Sequence, residues 1–250
     1  DVKPDLAKQY AMEAVRDGLM ETADDSALCQ SWGSITIINP LEKIWNGYSD
    51  TRMGASMDSY LNGYNDPRLP VYFQPVTEGD NKGEYRGVAN GMPNPQQDDY
   101  KAMSAPNVQE KSTDSPLRWM MASEVAFLRA EGAMRGWTAE MGGTAEEFYN
   151  KGIELSFLEN GLSADAAARY AADETSKPTD FTDVSTANTK YNISALGKIT
   201  IKWNAGASEE EQLERIITQK WIAMFPNGTE AWSEFRRTGY PLIFPVRSNY

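Results

Sequence analysis

Eight side chains carry the chemistry most worth weighing: Trp45, Asn46, Tyr48, Tyr72, Gln74, Tyr85, Arg86 and Asn90. The rings stand beside planar polar groups, in stretches rich in Gly and Pro. Flat aromatic faces stack on the C–H faces of a sugar, and amides, carboxylates and guanidinium groups meet its hydroxyls. Loops held by a rigid scaffold are where such groups gather. Tyr64-Asn65-Asp66 has the same make-up. This is chemistry of capture rather than turnover. For any one ring the bland alternative is that it pins a loop to the core, burial being the commoner fate of an aromatic. The cluster is stronger than its members, and Trp45 and Tyr85 lead it.

Other candidate chemistry is thin. The 250 residues hold no His, which excludes a Ser-His-Asp system and any His-ligated zinc site. Cys29 stands alone, so no internal disulfide forms and no CxxC pair exists. With 36 Asp and Glu against 24 Lys and Arg, the net charge of -12 leaves no basic stripe to track phosphates, and nucleic acid is excluded as a partner. Carboxylates are plentiful, yet Glu209-Glu210-Glu211 reads as a favourable first helical turn. Asp98-Asp99 could take calcium, but no D-x-D-x-D-G loop closes on a Glu. No cofactor is implied. Asp66-Pro67-Arg68 reads as a structural turn, and Arg236-Arg237 as a helix end pairing with Glu230 or Glu234.

The elements that must position these residues are mainly helical. Pro4 opens a helix to about Met20. Ile35 to Ile38 is expected to pair as a short strand stopped by Asn39-Pro40. Met53, Met57, Tyr60 and Leu61 fall at i, i+4, i+7, i+8, giving a helix over 50–61 with Asn62-Gly63 as its left-handed cap. Residues 62–116 form a loop-rich aromatic subregion. Stretches of this length with few helical signals are often functional.

Ser115-Pro116 is expected to start the next helix, with Leu117, Met121, Val125 and Leu128 on one stripe. Thr144 and Glu147 make a capping box for its partner, in which Gly152 lets the two approach closely. Residues 117–161 thus read as a helix pair packed in the manner of tetratricopeptide units. A short Ala-rich helix follows Ser163. Ser208 and Glu211 repeat the capping box before Ile216, Ile217, Trp221 and Met224. A last helix carries Trp232 and Phe235 inward, so 208–239 holds the C-terminal helices.

Three stretches carry a resemblance. They are Glu214 to Pro241 (ERIITQKWIAMFPNGTEAWSEFRRTGYP), Trp119 to Trp137 (WMMASEVAFLRAEGAMRGW) and Gly47 to Phe73 (GYSDTRMGASMDSYLNGYNDPRLPVYF). The chain resembles the C-terminal half of a SusD/RagB-type outer-membrane nutrient-binding protein, with all of 1–250 in a single SusD-like domain. The resemblance implies an α-superhelix of tetratricopeptide-like pairs with a long loop-rich insertion. It implies a lipoprotein on the bacterial cell surface that binds glycans, or in some members peptides, without altering them. It further implies a SusC-like TonB-dependent transporter as partner, and an N-terminal half carrying the signal peptide and the lipid-bearing Cys. Cys29 is not that lipid site, because no apolar signal region precedes it. A peptide-holding helical module is the competing reading, and a helical glycosidase ranks below both.

Overall fold

The computed structural model describes residues 3–92, 97–107 and 115–246. Parts of the expected loop-rich stretch, 93–96 and 108–114, lie outside the described residues. In chain order the elements are α1 (Pro4–Asp17), β1 (Ala27–Cys29), α2 (Pro40–Glu42), α3 (Ala55–Gly63), α4 (Leu69–Tyr72), α5 (Gln97–Tyr100), β2 (Leu117–Met120), α6 (Ala122–Met134), α7 (Thr138–Met141), α8 (Ala145–Glu159), α9 (Ala164–Ala171), α10 (Glu209–Ala223) and α11 (Gly228–Thr238). A π-helical turn, Lys43–Tyr48, continues α2. The fold is mainly α, and the only sheet among the described residues pairs β1 with β2.

The chain divides into two compact units. One comprises Asp1–Leu28, Arg118–Glu174 and Ile201–Pro241; the other comprises Cys29–Leu117, Thr175–Thr200 and Leu242–Tyr250.

The first unit is built on α6 and α8. Phe127 is fully buried and its ring lies directly over Gly152, where an added Cβ would sit 2.7 Å from it. The close approach expected at Gly152 is therefore real. Tyr149 meets Phe127 edge-on at 6.3 Å, and Trp203 covers Tyr149 at 5.2 Å. The Thr144–Glu147 box forms in both directions, satisfying donors that a helix start leaves open. At α10, Ser208 accepts from Glu211 N at 3.2 Å, while the Glu211 carboxylate pairs with Arg215.

Two expectations fail here. The helix foreseen from Ser115-Pro116 begins at Ala122, because Leu117–Met120 pairs as β2. Its first donors are met from a distance in sequence: Ala122 N donates to Ser26 Oγ and Ser123 N to a Glu159 oxygen. Trp232 is not inward but 56% exposed, stacked on Phe235. The face of α11 that turns inward carries Glu234 instead. Arg237 joins Glu131 at 2.6 Å and Glu234 at 2.7 Å, and the buried Lys220 stands 3.3 Å from Glu234 and 3.5 Å from Glu124. An ion network overrode the apolar period.

The second unit holds its own core of Val76, Met92, Tyr100, Met103 and Tyr191. Residues 35–38 form no strand: Trp32 and Ile35 share a single bridge, and Asn39 starts α2 by accepting from Leu41 N. Asn62-Gly63 is no left-handed cap either. Gly63 lies within α3, whose C-cap is Tyr64, and the positive φ falls at Asn65. The Asp66-Pro67-Arg68 turn is structural as expected, with Arg68 wholly buried against Asp66 at 2.6 Å.

Candidate functional site

The site begins at α3. Gly63 presents no Cβ, which lets the backbone of 177–179 pass so close that a methyl group there would meet Thr179 N at 2.6 Å and Pro178 Cα at 2.7 Å. Ser59 locks that segment, its hydroxyl donating to Thr179 O at 2.5 Å and its carbonyl accepting from Thr179 N at 3.0 Å. A second segment, 84–87, crosses the same helix at Gly87. There a Cβ would come within 3.0 Å of both Asp58 Cβ and Gly54 O. Gly87 N donates to Asp58 Oδ2 at 2.6 Å, and Asn62 Nδ2 donates both to Asp58 Oδ1 at 2.8 Å and to Tyr85 O at 2.9 Å. Asp58 and Asn62 are one helical turn apart, so one face of α3 anchors the segment through two side chains.

Between these segments lies an open cleft of about 420 Å³, lined by Asp58, Asn62, Glu84, Tyr85, Arg86, Thr179, Asp180 and Thr182. Asp58 is 6% exposed, and burial pushes its carboxyl above the ordinary value, against the opposing hydrogen bonds from Gly87 and Asn62. Arg86 Nη2 donates to Thr182 O at 2.6 Å, its Nε stands 3.7 Å from Asp58, and its Nη1 lies 3.5 Å from Glu84. Tyr85 lines the cleft and is half-buried. Asp180 accepts from Ala195 N at 2.8 Å. Its lining holds a tyrosine, an arginine, a carboxamide, two threonines and three carboxylates.

The residues singled out from sequence divide. Tyr85 and Arg86 line the cleft together. Asn90 is exposed, with its amide beside Gly54, and does not line it. Trp45 and Tyr48 lie on the π-helical turn, with Tyr48 62% exposed and Lys43 Nζ 5.7 Å from its ring centre. The side chain of Asn46 lies outside the described residues. Gln74 is half-buried and its backbone N donates to Ala105 O. Tyr72 is a correction: at 3% exposure it is core on α4 and offers no ring face to a ligand. Sequence reasoning missed Asp58, Asn62, Glu84, Thr179, Asp180 and Thr182. The polar i, i+4 pair Asp58 and Asn62 on α3 is the one signal in the sequence, and the apolar stripe of the same helix masks it.

Among the described residues, no group of three or more Asp, Glu, His or Cys is placed to hold a metal ion, and no helix is long and apolar enough to cross a membrane.

Residues 1–250 match the model of a family described as SusD-like, Susd and RagB outer membrane lipoprotein. No curated protein matches the chain. Among solved structures, the chain is similar to a chitin-binding SusD homologue from Flavobacterium johnsoniae, with 42% identity and a TM-score of 0.88 over 100% of this chain and 49% of that one. A SusD-like protein from Bacteroides thetaiotaomicron gives 43% identity and a TM-score of 0.88, covering 98% and 49%. A SusD homologue from Bacteroides vulgatus gives 36% identity and 0.87, covering 98% and 48%. The chain spans about half the length of these solved structures.

Proposed function

The chain belongs to the SusD-like family of SusD and RagB outer membrane lipoproteins, and from that premise we propose that it captures glycans at the cell surface without cleaving them. The observation that carries this reading is the cleft on α3, where Tyr85 stands among planar and hydroxyl-bearing residues on two backbone segments locked at Gly63 and Gly87. A sugar ring would lie against Tyr85, with its hydroxyls toward Asn62, Thr179 and Asp180. The 42% identity to a chitin-binding homologue supports a glycan as ligand. The exposed Tyr48, with Lys43 beside it, offers a further stacking surface for a long chain.

Capture fits the cleft better than hydrolysis. A glycosidase needs one carboxyl free to donate a proton and another free to attack or to activate water. Asp58 has the raised pKa of a general acid, but both its oxygens are held by Gly87 N and Asn62 Nδ2. It anchors a loop. In the whole protein, an N-terminal lipid anchors the receptor to the outer membrane, and the bound glycan passes to a SusC-like TonB-dependent transporter.

The test is calorimetric titration of the chain against soluble polysaccharides, chitin oligomers among them, and a peptide digest, with product analysis on the same samples. Saturable glycan binding without new reducing ends is expected. Binding of peptides alone would replace the reading with the peptide-holding module, and release of reducing ends would replace it with a hydrolase.

A further inference from the structure

One guanidinium, that of Arg86, stands among the residues lining the cleft. Recognition of an acidic sugar, a uronate or a sulfate ester, is favoured by a free donor edge on an arginine, since the two parallel N–H groups meet two oxygens at once. Arg86 is already drawn toward groups of the cleft itself. Its Nη2 donates to Thr182 O at 2.6 Å, Nη1 faces Glu84 at 3.5 Å, and Nε faces Asp58 at 3.7 Å. Three carboxylates, Asp58, Glu84 and Asp180, line the cleft against this one guanidinium. The surplus is negative, and the Glu84 side chain is 56% exposed and so within reach of a ligand. Tyr85 adds a ring whose face favours a cation.

We propose that the cleft favours amine-bearing over neutral glycans and neutral over anionic ones, because its carboxylates outnumber its one guanidinium, which already faces two of them. This rests on the reading of the cleft as a glycan site. A sugar ammonium a few ångströms from an unbalanced carboxylate gains roughly tenfold in affinity over its neutral counterpart, and a sugar carboxylate loses as much. Added salt erodes both differences, since the exposed members are screened over about 8–10 Å near physiological ionic strength.

The experiment titrates the chain with three oligosaccharide series of equal length at mildly acidic pH, where sugar amines carry charge: deacetylated chitosan oligomers, N-acetylglucosamine oligomers and oligogalacturonates. The expected order is ammonium tighter than neutral by about tenfold, and neutral tighter than the uronates by about as much. Raised sodium chloride should shrink the first ratio. Glu84→Gln should narrow it as well, whereas Glu146→Gln, at an exposed site on α8 far along the chain, should leave it unchanged. Uronates binding as tightly as neutral oligomers would overturn the proposal. So would equal narrowing by both variants, which would assign the preference to the overall charge of -12. Failure of all three series to bind would sink the underlying glycan reading instead.

Discussion

Tyr72 and Tyr85 look alike in sequence, each a tyrosine within two residues of a polar side chain in a Gly- and Pro-rich stretch, yet they end in opposite environments. Tyr72 is closed in the core and Tyr85 is half-open on the cleft. Their alanine variants should therefore separate binding from stability. Tyr85→Ala is expected to weaken glycan binding about tenfold, or ~1.4 kcal/mol, with little change in Tm. Tyr72→Ala should cost about 3 kcal/mol of stability by leaving a cavity, measured by denaturant unfolding. Asp58 makes a second contrast. Its carboxyl is raised by burial, so removing the charge alone would relieve a penalty. Asparagine, however, would turn an NH₂ group toward one of the two donors that Asp58 now accepts from. Asp58→Asn should thus cost about 1–2 kcal/mol and loosen the 84–87 segment, detectable as faster amide exchange at Gly87.

At the scale of elements, glycine decides how closely two backbones or helices pass. Gly152→Ala would drive a Cβ to 2.7 Å from the Phe127 ring, a rigid neighbour, and should destabilise by about 1–3 kcal/mol. Gly132→Ala would meet the Met141 Sδ at 2.8 Å, but that side chain is flexible and Ala favours the helix; a loss under about 1 kcal/mol is expected. Thermal unfolding of the pair checks both. The ion network on α11 has its own pH signature. Burial alone would raise Glu131, but the hydrogen bonds and charges of Arg237 and Arg135 outweigh it and hold the group below the ordinary value of 4.5. A folded pKa below the unfolded one adds stability above the unfolded value and loses it as pH falls through the folded value. Glu131→Gln should therefore lose stability at neutral pH, and the gap to the parent chain should close as the pH is taken down through that range.

Helix starts were legible in the sequence because they are local. Pro4, Thr144 with Glu147, and Ser163 act within one turn, and each lies where the residues placed it. What escaped depends on residues distant in the chain. Leu117–Met120 reads as helix until its pairing with β1 is known, and Ser26 and Glu159 then cap α6. Trp232 reads as core until Arg237 is seen to reach Glu131. The cleft was half legible. Tyr85 and Arg86 stood out by type, whereas Thr179 and Asp180 come to α3 from 120 residues away through the Ser59 hydrogen bond.

At the scale of the whole molecule, the proposed glycan capture joins family membership to the cleft on α3. The family is one of outer membrane lipoproteins, and in the cleft Asp58 is held at both oxygens as an anchor for the 84–87 segment. The most direct test is a structure of the chain with a saturating neutral chitin oligomer. A sugar ring stacked on Tyr85, with hydroxyls within hydrogen-bond distance of Asn62 and Asp180 and every glycosidic bond intact, is the predicted result. An oligomer seated elsewhere with the cleft left open, or one cleaved beside Asp58, would contradict the account.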